Sequence, residues 1–258
     1  MRFHGLLAGW TRGEKCNANL KIEDLFLKDI STIKLMVKWI ILYSSATGNT
    51  RKLAEAAASA IGADLLDVSD VLGFAPDLSH DGSSVPCDLL EGESAENEDE
   101  VLIDINRKSL SISVDAWVGE VASRLSKYDG VMVGYWLRRG APDQRTAALL
   151  PKISGKRVAL FQTHGAYAGS DHAVTAFARA GALLGPDNLI LGTFSCQAAV
   201  NPALIKRRLE GKVPGHQGED LEACKKRWAD AANHPDENDL ERMRVFARRM
   251  QALAENVK

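Results

Sequence analysis

Along this chain, short unbroken apolar runs alternate with longer segments in which apolar residues return every third or fourth position. The runs are Trp39 to Tyr43, Leu65 to Val68, Val131 to Trp136, Val158 to Phe161 and Leu189 to Phe194. Each is rich in β-branched or aromatic residues, the composition of parallel strands covered on both faces. Between most of them lie Thr50 to Ile61, Ala116 to Leu125, Arg145 to Leu150 and Ala173 to Leu184, whose spacing predicts helices with one face for a sheet. Strand alternating with helix implies right-handed crossovers. The pattern therefore predicts an α/β fold, an open doubly wound parallel sheet of five strands with helices on both faces. Three more helical segments follow the last strand: "NPALIKRRL", "GEDLEACKKRWADAANH" and "PDENDLERMRVFARRMQALAENV". Pro235 is expected in the first turn of the last one, with acids behind it. The basic residues of all three read as solvated helix faces.

Two regions break the rhythm. Residues 1–35 are mixed in charge and weakly periodic, with a short helix expected at Ile22 to Ile30, and read as an N-terminal appendage to a domain spanning 36–258. Met36 stands immediately before the first strong strand, so the appendage is either an extension or an upstream start. The second region, 79–115, reads as an acidic surface insertion: nine acidic residues and no Lys or Arg lie between Ser79 and Asn106. Inside it Val101, Ile103 and Ile105, then Leu110, Ile112 and Val114, alternate with polar residues as the strands of a small hairpin do.

Composition narrows the function classes. The chain has 258 residues, 45% of them apolar, and a formal net charge of −2. That is enough to bury a large core and too little positive charge to collect a phosphate backbone, so nucleic acid is not the expected partner. No apolar run approaches the roughly eighteen residues of a membrane span, and the N-terminal apolar stretch is too short for a secretory signal, so the expected location is cytoplasmic. Cys16, Cys87, Cys196 and Cys224 have no metal-ligand or disulfide spacing, so no metal is expected. Cys196, just past the fifth strand, reads as an inert buried thiol.

The candidate chemistry lies at the first strand–helix junction. There "SSATGNT", residues 44–50, packs small polar groups into the turn at the carboxyl edge of the sheet. A helix N-terminus presents unpaired N–H groups and positive partial charge, which favour a phosphate. Gly48 allows a tight turn and close approach to a ligand, Ser45, Thr47 and Thr50 add hydroxyls, Asn49 adds an amide, and Ala46 contributes backbone. Rival motifs fail on residues: no lysine follows Gly48 as in a Walker loop, and GxGxxG lacks its other glycines.

The run S-x-T-G-N-T within this loop resembles the phosphate loop of flavodoxins. That resemblance implies FMN as cofactor and the strand order 2-1-3-4-5. It also implies that the loops after the third and fourth strands flank the flavin ring. In "VMVGYWLRRGAPDQ", Tyr135 and Trp136 leave the third strand, followed by Arg138, Arg139 and a flexible glycine; in "ALFQTHGAYAGSDHA", Gly165 and Gly169 bracket Tyr167. Tyr135, Trp136, Gly165 and Tyr167 are thus the ring-binding candidates, through stacking and glycine-loop N–H groups. His164 reads as a loop hydrogen-bonder rather than a proton donor, in a position that could still tune the flavin. Over residues 37–78 and 116–258 the chain is similar to flavodoxin family proteins of anaerobic gut bacteria, some of which accompany a bilirubin reductase.

The resulting expectation is a flavodoxin-like electron-transfer protein that passes electrons from FMN to a redox partner enzyme, a bilirubin or tetrapyrrole reductase among the candidates. The acidic insertion is either a solvated loop or a docking surface for a basic partner. Two alternatives stay open: a stand-alone FMN-dependent reductase of a quinone or other small acceptor, with Arg138, Arg139 and His164 gripping an acidic group, and a flavin-free interaction module. No catalytic residue, electron donor or oligomeric state follows from the sequence.

Overall fold

The computed structural model describes residues 37–69, 116, 118–211 and 220–256, all within one compact unit. The helix expected at residues 22–30, the acidic insertion and its hairpin lie outside the described residues. Among the described residues six strands form: β1 (Trp39–Tyr43), β2 (Asp64–Asp67), β3 (Gly130–Arg138), β4 (Ala141–Pro142), β5 (Arg157–His164) and β6 (Leu189–Gln197). The helices are α1 (Asn49–Ile61), α2 (118–125), α3 (Gln144–Leu149, continued by a 3-10 turn Leu150–Lys152), α4 (Asp171–Leu183), α5 (Pro202–Leu209), α6 (Leu221–Ala231) and α7 (Glu237–Asn256).

The long strands run in the order β2-β1-β3-β5-β6, all parallel, which is 2-1-3-4-5 once the two-residue β4 is set aside. The two-residue alternation of strands divides their side chains between two cores. Ile40, Leu42, Val131, Val133, Tyr135, Val158 and Leu160 face Val118, Val121 and Leu125 of α2, with Leu149 and Ala180. Trp39, Ile41, Tyr43, Met132, Ala159 and Phe161 face Leu53, Ala54 and Ala57 of α1 and Met243, Ala247, Met250 and Ala254 of α7. A sheet covered on both faces is why β1 reads as five consecutive buried apolar residues.

Three expectations need correction. β2 and β6 are not buried on both faces: they are the edges of the sheet, and Leu65, Leu189 and Ile190 are exposed. Pro235 does not stand in the first turn of α7. Asp236 and Asp239 exchange hydrogen bonds there, Asp239 N donating to Asp236 Oδ1 (2.9 Å) and Asp236 N to Asp239 Oδ2 (3.1 Å). This reciprocal cap starts the helix at Glu237, two residues after Pro235. Finally, the glycine after Arg138 and Arg139 is not a flexible link. Gly140 is half of a tight turn that brings β4 back antiparallel to β3.

The strand ends set up the site. Ser44 N donates to Gly134 O (2.9 Å), so the turn after β1 leaves the sheet beside the middle of β3, which runs on to Arg138. Gly134 is required here: a Cβ at that position would overlap the ring of Phe161 on β5. Without a side chain at 134, β3 and β5 pair up to Trp136 and Thr163, and both extend past the end of β1.

Candidate functional site

The turn 44–48 leads into α1 without a side-chain cap. Gly48 stands just before the helix at φ +84°, and nothing lies within 4 Å of where its Cβ would be. Its carbonyl accepts from Lys52 N (3.1 Å), which closes the first helical turn. The N–H groups of Ala46, Thr47 and Gly48 have no acceptor among the described residues, and Ala46 and Thr47 are exposed. Three successive unpaired donors at a helix N-terminus, in front of an open glycine, are the groups a phosphate accepts from.

The remaining side chains of the loop hold its shape. Ser44 donates to Asp143 Oδ1 (3.0 Å), and Thr50 Oγ1 pairs with Thr163 Oγ1 on β5 (2.9 Å), both buried. The amide of Asn49 donates to Thr47 Oγ1 and to Ala199 O, each at 3.1 Å, so both of its N–H bonds are used within the protein. Ser45 Oγ accepts from Arg51 N (3.4 Å). The hydroxyl protons of Ser45 and Thr47 remain to add to the three N–H groups, whereas Asn49 and Thr50 serve as struts.

Other strand ends converge on this loop. Asp143 terminates the turn after β4 and caps α3, accepting from Arg145 N, Thr146 N and Thr146 Oγ1 as well as from Ser44. Burial pushes its carboxyl pKa up, and these hydrogen bonds oppose the shift. From the loop after β6, Ala199 receives the Asn49 amide, and Val200 fills the space a Gly165 side chain would need. The loops after β1, β5 and β6 therefore abut at the carboxyl edge.

The ring candidates separate. Trp136 pairs in register with Thr163, the partner of Thr50, and by alternation shares the face of Met132 that α1 covers. It is half-buried, two residues before the end of β3. Gly165 lies in the loop that Val200 packs against. Tyr167 is 48% exposed, and its hydroxyl donates to Asp230 of α6 (2.7 Å), which raises its pKa. Tyr135 does not leave the strand with its ring available. Its side chain is fully buried in the α2 core, where burial and then the charge of Asp143 push its pKa up, so only its backbone faces the edge.

His164 is a loop hydrogen-bonder. Its Nδ1 faces Ala166 O at 3.0 Å and its Nε2 faces Ser195 Oγ at 2.6 Å. A carbonyl only accepts, which puts the proton on Nδ1 and leaves Nε2 to accept from the serine. Burial lowers its pKa to about 4, so the ring is neutral near pH 7. Cys196 is buried, and burial pushes its thiol up to about 12, as expected of an inert cysteine.

A family model described as the flavodoxin domain matches residues 93–248, more than half of the chain. The chain belongs to the flavodoxin domain family. It is 24% identical over 220 residues to the flavodoxin-like domain-containing protein BilS of Clostridioides difficile (strain CD3), a match covering 84% of this chain and 98% of that protein. Among solved structures it is similar to the WrbA-like flavodoxin of Agrobacterium tumefaciens, at 14% identity and TM-score 0.42, over 86% of this chain and 99% of the other. The same TM-score, 0.42, relates it to oxidised Flavodoxin 2 of Bacillus cereus, at 18% identity over 84% and 99% of the two chains. Among the described residues, no helix is long and apolar enough to cross a membrane.

Family membership fits the residues present: N–H donors unpaired among the described residues, an open glycine and the hydroxyl protons of Ser45 and Thr47 suit the phosphate of a flavin nucleotide. Sequence reasoning missed Asp143, Thr163, Ala199 and Asp230. Asp143 had a legible signal, since "PDQRT" before an apolar helix is a cap. The others act through contacts across more than sixty positions of chain, which no local pattern carries.

Proposed function

We propose that this protein binds FMN at the carboxyl edge of its sheet and carries electrons to a redox partner protein. The observation that supports this most directly is the set of unpaired N–H groups of Ala46, Thr47 and Gly48 in front of a glycine with open space. Those groups, with the hydroxyls of Ser45 and Thr47, would hold the phosphate. Trp136, Gly165 and Tyr167 would flank the ring. Bound FMN supplies one- and two-electron chemistry, and the protein adds orientation, burial and nearby charge. The neutral His164, pinned between Ala166 and Ser195, fixes the loop that carries Gly165 and Tyr167 without placing a formal charge there.

The purified protein is expected to be yellow and to release equimolar FMN on denaturation. A colourless protein that does not take up added FMN contradicts this reading. Reduced protein that passes electrons to a partner reductase, a tetrapyrrole reductase being the first to try, supports the carrier role. Steady turnover of NAD(P)H with a quinone by the protein alone would instead make it an enzyme in its own right.

A further inference from the structure

α6 buries Cys224, Trp228 and Ala231, yet none of these three joins either core of the sheet. Three hydrogen bonds tie the helix and the turn after it to the carboxyl edge instead. Gln197 Nε2, at the end of β6, donates to Arg227 O at a long 3.5 Å. The Tyr167 hydroxyl donates to Asp230 Oδ2 (2.7 Å), and Ala199 N donates to His234 O (2.9 Å), three residues past the helix. Ala199 carries the connection further, because its carbonyl accepts from Asn49, the first residue of α1 (3.1 Å). The turn proposed to hold the phosphate and the end of α6 are therefore two hydrogen bonds apart.

Of the residues that α6 touches, Tyr167 is the one whose side chain has most to lose by being left unheld. Its ring is 48% exposed, on a loop bracketed by Gly165 and Gly169, so both its backbone and its rotamer would have to be ordered when a ligand binds. Two bonds order them beforehand. Tyr167 O accepts from Ser170 N (3.0 Å), which fixes the backbone, and Asp230 fixes the hydroxyl, while the ring stays open to solvent. A phenol donating to a carboxylate makes a charge-assisted bond, stronger than one between neutral groups.

We propose that Asp230 is a positioning residue for the flavin: braced by α6, it holds the Tyr167 hydroxyl so that the ring is set to pack on the isoalloxazine before the flavin arrives. This deepens the FMN reading and rests on it. Asp230 acts through Tyr167 alone, so its effect falls on flavin affinity and ring contact.

The test titrates FMN into flavin-stripped full-length protein, with quenching of flavin fluorescence as the readout of affinity and of ring contact. Asp230→Leu removes the acceptor and Tyr167→Phe the donor, and each is expected to weaken FMN binding about fivefold and to reduce the quenching. The double variant should lose no more than either single one, because each substitution already breaks the same bond. Asp230→Asn keeps an acceptor oxygen and should stay within about twofold of the wild type. The control is Asp220→Ala at the other end of the helix, where the carboxylate accepts from Glu222 N (3.0 Å) and Ala223 N (3.3 Å). Losing that cap should lower Tm and change FMN binding less than about twofold. A double variant weakened about twenty-five-fold, the product of two independent losses, overturns the proposal. So does Asp220→Ala weakening FMN as much as Asp230→Leu, or Asp230→Asn falling as far as Asp230→Leu. Wild-type protein that takes up no FMN sinks the flavin reading and this inference with it, whereas a wild type that binds FMN no better than Asp230→Leu sinks only the positioning role.

Discussion

Gly48 adopts φ +84°, the left-handed region that an L side chain enters at a cost of about 1 kcal/mol or more. Nothing crowds its missing Cβ, so the strain of Gly48→Ala is conformational and not steric. That variant is expected to lower stability by about 1 kcal/mol in urea unfolding and to weaken FMN retention, because relaxing the strain rotates the N–H groups that face the ligand. His164 gives a second prediction at this scale. Its pKa is near 4 in the folded protein and 6.5 in the unfolded chain, so between those values the unfolded state binds a proton that the folded state refuses. Stability is therefore flat above about pH 6.5 and falls as pH drops towards 4, by up to about 3 kcal/mol. Urea midpoints measured at pH 7.5 and pH 5 should show this slope in the wild type and a shallower one in His164→Gln.

Strand pairing depends on a few positions where one element makes room for another. Gly134 lets the Phe161 ring lie across β3, and any side chain there forces the two strands apart. Gly134→Ala is expected to cost about 2 kcal/mol or more, with part of the loss recovered in Gly134→Ala/Phe161→Leu; urea midpoints of the two variants check this. The start of α7 depends on Asp236, whose carboxylate accepts from Asp239 N. Asp236→Ala should destabilise by about 1 kcal/mol, seen as a lower Tm with the visible spectrum unchanged, because the cap lies outside the phosphate loop. These elements were readable to different degrees. β1, β3 and β5 were plain from their apolar runs, since each is covered on both faces. The exposure of β2 and β6 was not, because an edge strand and a central one can share a composition. The β3–β4 hairpin went unread because Arg139 is an unusual residue for its turn.

At the scale of the whole molecule, α7 closes one face of the sheet, and Met243, Ala247, Met250 and Ala254 are all buried against α1 and the strands. A chain ending at Asp236 would expose the part of that face that α7 covers, α1 still lying on the rest. It is expected to lose cooperative unfolding and to bind ANS, which near-UV circular dichroism and dye fluorescence would register. The sequence alone determined the doubly wound architecture, through apolar runs and helical periodicity, and singled out the turn proposed to hold a phosphate, since strand, hydroxyl-rich turn and helix are contiguous there. Only the tertiary structure decided which loop groups are open. Asn49 and Thr50 look like ligand donors in isolation, yet Ala199, from the loop after β6, and Thr163, from the end of β5, use them as struts. Tyr135 looks like a ring-binding aromatic, yet alternation along β3 turns it into the core while Trp136 stays at the edge. The physical reason is the same in each case: a polar group's availability depends on which partner the fold brings within about 3 Å, and chain order does not carry that information.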